Sequence, residues 1–203
     1  MTYLVAHGDR VALLLGQHLA LVAASLAIAL VIAIPLGVAA ARRPPLRAFV
    51  LGITGALYTI PSLALLALLV YVLGLGSATA IAALVIYAQM VLIRGVVAGL
   101  ESVDPALVDA ARGLGLTARQ TLLQVEVPAA LPVVLGGVRV ATVSLVALAT
   151  IAAWTNAGGL GMLLFEGIST NNPQKIVAGA LASAALAIGA DLALRAVERS
   201  AQR

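Results

Sequence analysis

The sequence predicts an all-α, polytopic membrane protein with about five transmembrane helices. Only 10% of the 203 residues are charged, whereas soluble domains carry roughly 25%. Hydrophobic residues make up 63%, the mean hydropathy is +1.13, and the apolar runs reach the roughly 20 residues that span a bilayer. Lipid cannot satisfy open backbone polar groups, so each run is predicted to be a helix. The chain has no cysteine, which excludes disulfides and thiolate metal sites.

Five apolar segments, separated by glycine, proline or charged residues, are the predicted spans. They are about Val11–Ala41, with its core from Leu19, then Ala48–Leu73, Ala78–Leu100, Ala129–Ala153 and Ile176–Leu194. In the second span, Pro61 removes one backbone hydrogen bond and predicts a bend. In the third span, Gly95 and Gly99 have the Gly-x-x-x-Gly spacing that permits close contact between helices.

Basic residues set the predicted orientation, because cytoplasmic loops carry an excess of lysine and arginine. One side holds Arg42, Arg43, Arg47, Arg94, Arg112, Arg119, Arg195, Arg199 and Arg203. The other side holds Arg10 and Lys175. We therefore expect a multi-pass protein of the inner cell membrane. Its N-terminus is expected outside the cell membrane and its C-terminus in the cytoplasm. Residues 1–10 lack a basic region, so no signal peptide is expected.

The long internal loop, about residues 101–128, is the most polar part of the chain. Asp104 followed by Pro105 is a helix start, with a capping oxygen and then a fixed φ. A helix over Pro105–Arg112 is predicted to end at Gly113 and Gly115, since glycine accepts the positive φ of a helix C-terminus.

A second short helix is predicted in the same loop. Thr117 and Gln120 have the spacing of a capping box, and Pro128 marks the return to the membrane. Such a hairpin fits a cleft in a soluble partner and can transmit movement into the bilayer. Alternatives are a solvated surface loop and a DNA-binding helix-turn-helix. The second helix carries one basic residue, Arg119, so no nucleic-acid partner is expected.

The spacing within this loop resembles the EAA loop of ABC importer permeases. That pattern is Glu-Ala-Ala, three residues, Gly, nine residues, then Ile-x-Leu-Pro. Here Asp109-Ala110-Ala111 is followed by three residues, Gly115, nine residues and Val125-Glu126-Val127-Pro128. Aspartate replaces glutamate, and valine replaces isoleucine and leucine.

Further segments along nearly the whole chain resemble osmoprotectant permeases, which serve glycine betaine, carnitine, choline and related compounds. They are Thr59–Leu65, Val103–Pro105, Ala110–Gly115, Leu131–Val133, Gly137–Val143 and Ala157–Gly161. Methionine-type permeases share the Gly-Gly-Leu-Gly segment and remain an alternative.

The resemblance implies a type I ABC importer permease core, with residues 1–203 as one transmembrane domain. It implies a second permease copy, in a homodimer or heterodimer, a cytoplasmic ATPase dimer and a separate extracytoplasmic substrate-binding protein. ATP and Mg would bind to the ATPase, and no cofactor or metal to this chain. The chain has no phosphate-binding glycine-lysine motif, so it is predicted not to be an enzyme. The residues expected to couple to the ATPase are Asp109, Ala110, Ala111, Gly113, Gly115 and Arg119.

Candidate residues of the translocation path come from the spans. They are Tyr58, Pro61, Ser62, Tyr87, Arg139 and Trp154. The aromatic residues are included because an aromatic face attracts quaternary ammonium groups. Arg139 lies inside the fourth span and is predicted either to pair with Glu126 or Asp191, or to line the path. His18 is predicted to be a packing residue, and Asp191 to pair with Arg195.

Two other classes of function are less compatible with the sequence. A stand-alone secondary carrier or channel usually needs carboxylates in the middle of its spans, and here Glu101 and Asp191 lie at span ends. A membrane enzyme needs paired carboxylates, a Ser-His-Asp set or a metal cluster, and no such set shares a predicted face.

Overall fold

The computed structural model describes residues 7–201, and this part of the chain is helical, without strands. The elements are α1 (Gly8–Arg42), α2 (Pro44–Thr59), α3 (Ser62–Leu73), α4 (Ser77–Glu101), α5 (Pro105–Gly113), α6 (Ala118–Thr121), a π-helical turn (Leu122–Glu126), α7 (Val127–Ala152), a 3-10 turn (Ala153–Thr155), α8 (Gly161–Ser169) and α9 (Pro173–Ala201). The predicted all-α class is confirmed.

Four helices are long and apolar enough to cross a membrane. They are α1, α4, the continuous helix Ala118–Thr155, and α9. Together α2 and α3 pass the same test, which gives up to five spans if this pair is counted as one. The predicted five spans therefore match the structure, with the second span present as two helices.

The break between α2 and α3 lies at Pro61, where a bend was predicted. The two helices diverge by 96°, so the proline separates two helices instead of bending one. Nearby side chains pair with carbonyls around the break: the Thr59 hydroxyl donates to Ala56 O at 2.7 Å, and the Tyr87 hydroxyl donates to Ile60 O. These bonds reduce the cost of interrupting a helix away from water.

Helix α4 is the centre of the bundle and packs against α1, α2 and α7. Its side chains Leu84, Leu92 and Ile93 are almost fully buried. Small residues bring the neighbouring backbones close: a Cβ on Gly95 would lie 3.1 Å from Gly137 Cα. The Gly95–Gly99 prediction of close helix contact is confirmed, and its partner on α7 is Gly137.

The segment between the fourth and fifth predicted spans contains an additional helix. Helix α8 packs mainly on α9, and Leu163 is fully buried in a cluster with Leu14 of α1. Gly158 and Gly159 before it have φ values of +82° and +87°, a left-handed conformation that favours glycine.

Ion pairs lie at both ends of the bundle. At the end with the loop of residues 101–128, which we call the coupling loop, they join Arg42 to Glu126, Arg47 to Glu101, and Arg139 to Asp191 and Glu198. At the opposite end Glu166 pairs with Arg10 and Lys175. Arg42 and Arg47, two of the basic residues predicted on the cytoplasmic side, therefore lie at the same end. Arg203, which was counted with that side, lies outside the described residues.

Candidate functional site

The first half of the coupling loop (residues 101–128) is a capped helix followed by a glycine corner. The Asp104 carboxylate accepts the N–H of Ala106 at 2.9 Å, and Pro105 is the first helical residue, as predicted. Helix α5 ends at Gly113, whose backbone is helical. The left-handed corner is at Gly115, with φ +81°. Gly115 therefore needs to be glycine for conformational reasons, whereas Gly113 does not.

The second half begins with the predicted capping box. The Gln120 N–H donates to the Thr117 hydroxyl at 3.3 Å, and the Thr117 N–H donates to the Gln120 side chain at 2.9 Å. Pro128, predicted to mark the return to the membrane, lies in the first turn of α7. The chain continues as one helix from Ala118 to Thr155.

A π-helical turn makes this continuity possible. The N–H of Val127 donates to Leu122 O, five residues earlier, in place of the usual four. Pro128, which follows, has no N–H, and it lies in the first turn of α7 where a proline is tolerated. The second half of the coupling loop, from Ala118, is therefore a helical extension of α7.

The residues expected to contact an ATPase lie mostly on the surface of this loop. Asp109, Ala110, Gly113, Gly115 and Arg119 are exposed, and Ala111 is buried. Arg112 lies 3.6 Å from the Asp109 carboxylate, and both side chains are exposed.

Leu114 is a surface residue that the sequence did not single out. Its side chain is 82% exposed at the corner of the loop, beside Gly115. This exposed apolar side chain lies outside the membrane spans. Its position between two glycines was the available sequence signal.

A cleft of about 250 Å³ lies between the coupling loop and the adjoining ends of α1 and α4. Its wall is formed by Ala41, Arg42, Leu100, Glu101, Val103, Pro105, Val108, Asp109, Arg112 and Glu126. The Arg42–Glu126 ion pair contributes to this wall, and the Glu126 side chain is only 6% exposed. The sequence had proposed Glu126 as a partner of Arg139, which is wrong.

Four of the six candidate path residues come together at the break between α2 and α3. The rings of Tyr58 and Tyr87 meet edge to face, with centroids 5.9 Å apart and planes at 77°. Tyr87 also bonds to the carbonyl preceding Pro61, and Ser62 and Tyr87 share the wall of a cavity of about 10 Å³. That volume holds at most about one water, so the site is closed in this conformation.

The other two candidates lie elsewhere. Trp154 is in the 3-10 turn after α7 and is 47% exposed. Arg139 faces α9, where its Nε lies 3.2 Å from Asp191 and its Nη1 2.7 Å from Glu198. The Arg139–Asp191 and Asp191–Arg195 pairs were predicted, and the latter is present at 2.8 Å.

Glu198 was missed because α9 continues to Ala201, beyond the predicted end of the last span at Leu194. Arg94 lies inside α4, within the predicted third span, and is exposed.

His18 does more than fill space. It is fully buried, its Nδ1 accepts the N–H of Leu160 at 3.3 Å, and its Nε2 therefore donates to Val146 O at 3.1 Å. The neighbouring Gln17 accepts the N–H of Gly159 at 3.1 Å. Two adjacent residues of α1 thus hold the glycine-rich segment before α8 in place.

This architecture can be compared with known proteins. Residues 33–203 match the family model described as "Binding-protein-dependent transport system inner membrane component". The chain belongs to this family. It is therefore a transport permease subunit and a multi-pass membrane protein, and the family in general works with an ATPase and a substrate-binding protein.

Several characterised permeases are similar over almost the whole chain. The osmoprotectant import permease protein OsmW of Salmonella typhimurium is 39% identical over 201 residues, covering 97% of this chain and 94% of OsmW. The choline transport system permease protein OpuBD of Bacillus subtilis is 36% identical, covering 98% and 89%. The carnitine transport permease protein OpuCB of Listeria monocytogenes is 34% identical, covering 98% and 91%.

The fold is also that of solved ABC transporters. A chain from an inward-facing structure of the MetNI methionine ABC transporter matches with a TM-score of 0.88 at 23% identity, over 96% of this chain and 97% of that one. A chain from an amino acid ABC transporter solved with histidines matches with a TM-score of 0.78 at 18% identity, over 98% and 97%. The ABC importer permease fold predicted from the sequence is confirmed.

Proposed function

We propose that this chain is the permease subunit of an ATP-driven importer for osmoprotectants such as glycine betaine, choline or carnitine. The observation that carries the proposal is the coupling loop, an exposed and doubly capped hairpin that continues without a break into a membrane span. The substrate class is supported by relatives at 34–39% identity, whose names refer to carnitine, choline and osmoprotectants.

In the proposed assembly, two permease copies form the path and a cytoplasmic ATPase dimer binds ATP and Mg. Residues 1–203 act as one domain, with the N-terminus outside and the C-terminus in the cytoplasm. An extracytoplasmic binding protein delivers the solute to the end that carries Arg10, Glu166 and Lys175. The opposite end, with the coupling loop, faces the ATPase. Hydrolysis belongs to the ATPase, so the permease alone has no ATPase activity.

The contact with the ATPase is proposed to involve Asp109, Ala110, Ala111, Gly113, Gly115 and Arg119. The exposed side chain of Leu114 supports this surface as a docking site, because an apolar residue at 82% exposure gains most from being covered. The partial charge at each end of α5 is balanced locally, by Asp104 at its start and Arg112 in its last turn.

The path is proposed to pass the break between α2 and α3. Tyr58 is 45% exposed beside the buried Tyr87, so one aromatic face is available to a quaternary ammonium group. Pro61 and Ser62 form the break itself. Arg139 and Trp154 are proposed as path residues nearer its two ends, although Arg139 is already neutralised by two carboxylates in this conformation.

The test is uptake into proteoliposomes that contain the permease with its ATPase and binding protein. Labelled glycine betaine, choline, carnitine and methionine are supplied separately, with and without ATP. We expect ATP-dependent uptake of one or more of the first three. Uptake of methionine alone would favour the methionine alternative, and uptake without any ATPase would contradict the proposal in favour of a secondary carrier.

The role of the coupling loop is tested by Asp109→Arg. The exposed carboxylate becomes a cation next to Arg112, so we expect weaker retention of the ATPase on the purified permease and reduced uptake. Asp9→Arg is the matched control, since it makes the same charge change on an exposed residue at the opposite end. Equal ATPase retention by the Asp109→Arg variant and the wild type would contradict the assigned surface.

A further inference from the structure

The coupling loop is joined to α1 by an ion pair in which the carboxylate is buried and the guanidinium is partly exposed. Glu126, the last residue of the π-helical turn, bonds to Arg42, the last residue of α1. Among the described residues, α1 has no other side-chain ion pair or hydrogen bond to the loop. The two residues are 84 positions apart in sequence, so the contact is tertiary and ties together two separate spans.

The burial of Glu126 makes its pairing with a cation energetically necessary. The Glu126 side chain is 6% exposed, whereas that of Arg42 is 43% exposed. A carboxylate removed from water is tolerated only when a cation or several donors neutralise it. The cation that neutralises Glu126 is Arg42. The position of the π-helical turn and the position of the C-terminus of α1 are therefore linked.

The surroundings allow this link to transmit movement. The cleft of about 250 Å³ separates α5 from the end of α1, so α5 does not pack tightly against it. On the other side of the turn, the helix continues directly into α7. A displacement of the loop would therefore reach α7 through the continuous helix and α1 through the Arg42–Glu126 pair.

We infer that Arg42 and Glu126 form a positioning pair that passes the displacement of the coupling loop to α1, so that ATP hydrolysis and opening of the path occur together. The inference rests on the proposed function, since it presupposes an ATPase on the loop. Neither residue contacts the solute; each acts by holding α1 and the π-helical turn in register.

The experiment measures ATP hydrolysis and solute uptake separately in proteoliposomes with the ATPase and the binding protein. Glycine betaine, choline and carnitine are the solutes. In Glu126→Gln and Arg42→Gln we expect the ATPase to stay bound and hydrolysis to continue. The ratio of solute imported to ATP hydrolysed should fall severalfold, because hydrolysis then proceeds without a linked movement of α1.

Two further variants separate coupling from stability. The exchange Arg42→Glu with Glu126→Arg keeps one cation and one anion, and should recover part of the lost ratio. Arg47→Gln is the control, because it removes an ion pair at the same end, with Glu101, in which both side chains are 44% exposed. It should leave the ratio unchanged.

Each outcome decides the inference. A normal ratio in Glu126→Gln, or a loss of uptake and hydrolysis in equal proportion without recovery in the exchanged variant, overturns it. Loss of ATPase binding in both single variants without recovery in the exchanged one also overturns it, because the pair would then be structural. If the wild type itself shows no ATP-dependent uptake, it is the proposed function that fails.

Discussion

The close approach of α4 and α7 at Gly95 and Gly137 provides a quantitative test of the fold. A Cβ on Gly137 would lie 3.0 Å from Gly95 Cα, whereas carbon atoms in favourable contact are roughly 3.5–4.0 Å apart. Gly137→Ala therefore requires the two helices to separate by about 0.5–1 Å. Such overpacking costs about 1–3 kcal/mol, because the surrounding contacts cannot all follow.

One turn along α4, at Gly99, the two helices are also in close contact. A Cβ added to Gly99 would lie 2.6 Å from Val134 Cγ2, so the interface has no spare volume there. For a chain of this size, 1 kcal/mol corresponds to roughly 2–4 °C in Tm. We expect Gly137→Ala to lower Tm by about 2–12 °C, and Gly137→Val to lower it further.

The assay is thermal unfolding of the purified permease in detergent, followed by size-exclusion chromatography after heating. Gly52→Ala is the control, since a Cβ at that helical position meets nothing within 4 Å. Alanine is favoured over glycine in a helix interior by about 1 kcal/mol at both positions, so the control should keep or raise Tm. The loss of about 2–12 °C in Gly137→Ala is therefore expected relative to the control. A Gly137→Ala protein as stable as the control would refute the close contact.

Three other changes test separate parts of the structure. Arg139→Gln leaves Asp191 and Glu198 near each other without their shared cation. Breaking a fully buried ion pair lowers the free energy of unfolding by about 3–5 kcal/mol. These groups are about a quarter exposed, so we expect a loss of roughly 1–3 kcal/mol, measured as a lower Tm. An unchanged Tm would contradict the pairing. Thr117→Ala removes the cap of the second loop helix and should cost about 1 kcal/mol, seen as faster hydrogen exchange confined to the coupling loop; uniform exchange rates would contradict this. His18→Ala removes two buried hydrogen bonds and should cost about 2–5 kcal/mol with its cavity, and an unchanged Tm would contradict a buried, hydrogen-bonded ring.

Local features of the sequence predicted most of the secondary structure. The caps at Asp104 and Thr117 depend on neighbouring residues, and both are present as predicted. The break at Pro61 was placed correctly, but its angle of 96° depends on how α3 packs against α4, which no local pattern encodes. Pro128 lies at the start of α7 as predicted, but the π-helical turn that precedes it has no local sequence signal of its own.

Contacts between distant parts of the chain were harder to predict. The sequence contains several arginines and carboxylates near span ends, and their charges alone do not select partners. Glu126 pairs with Arg42, and Arg139 pairs with Glu198 as well as the predicted Asp191, because α9 extends further than its apolar residues suggest. Helix α8 was missed because the glycines before it suggested a loop, although its own side chains are apolar.

The unbroken helix through the π-helical turn fixes the angular phase of the coupling loop relative to the bilayer. Each residue of a helix adds about 100° of rotation. Deleting one residue between Thr121 and Pro128 would leave both flanking segments intact, yet it would swing the corner at Gly115 to a different side of the bundle. The number of residues in this stretch is therefore constrained, in addition to the identity of Glu126.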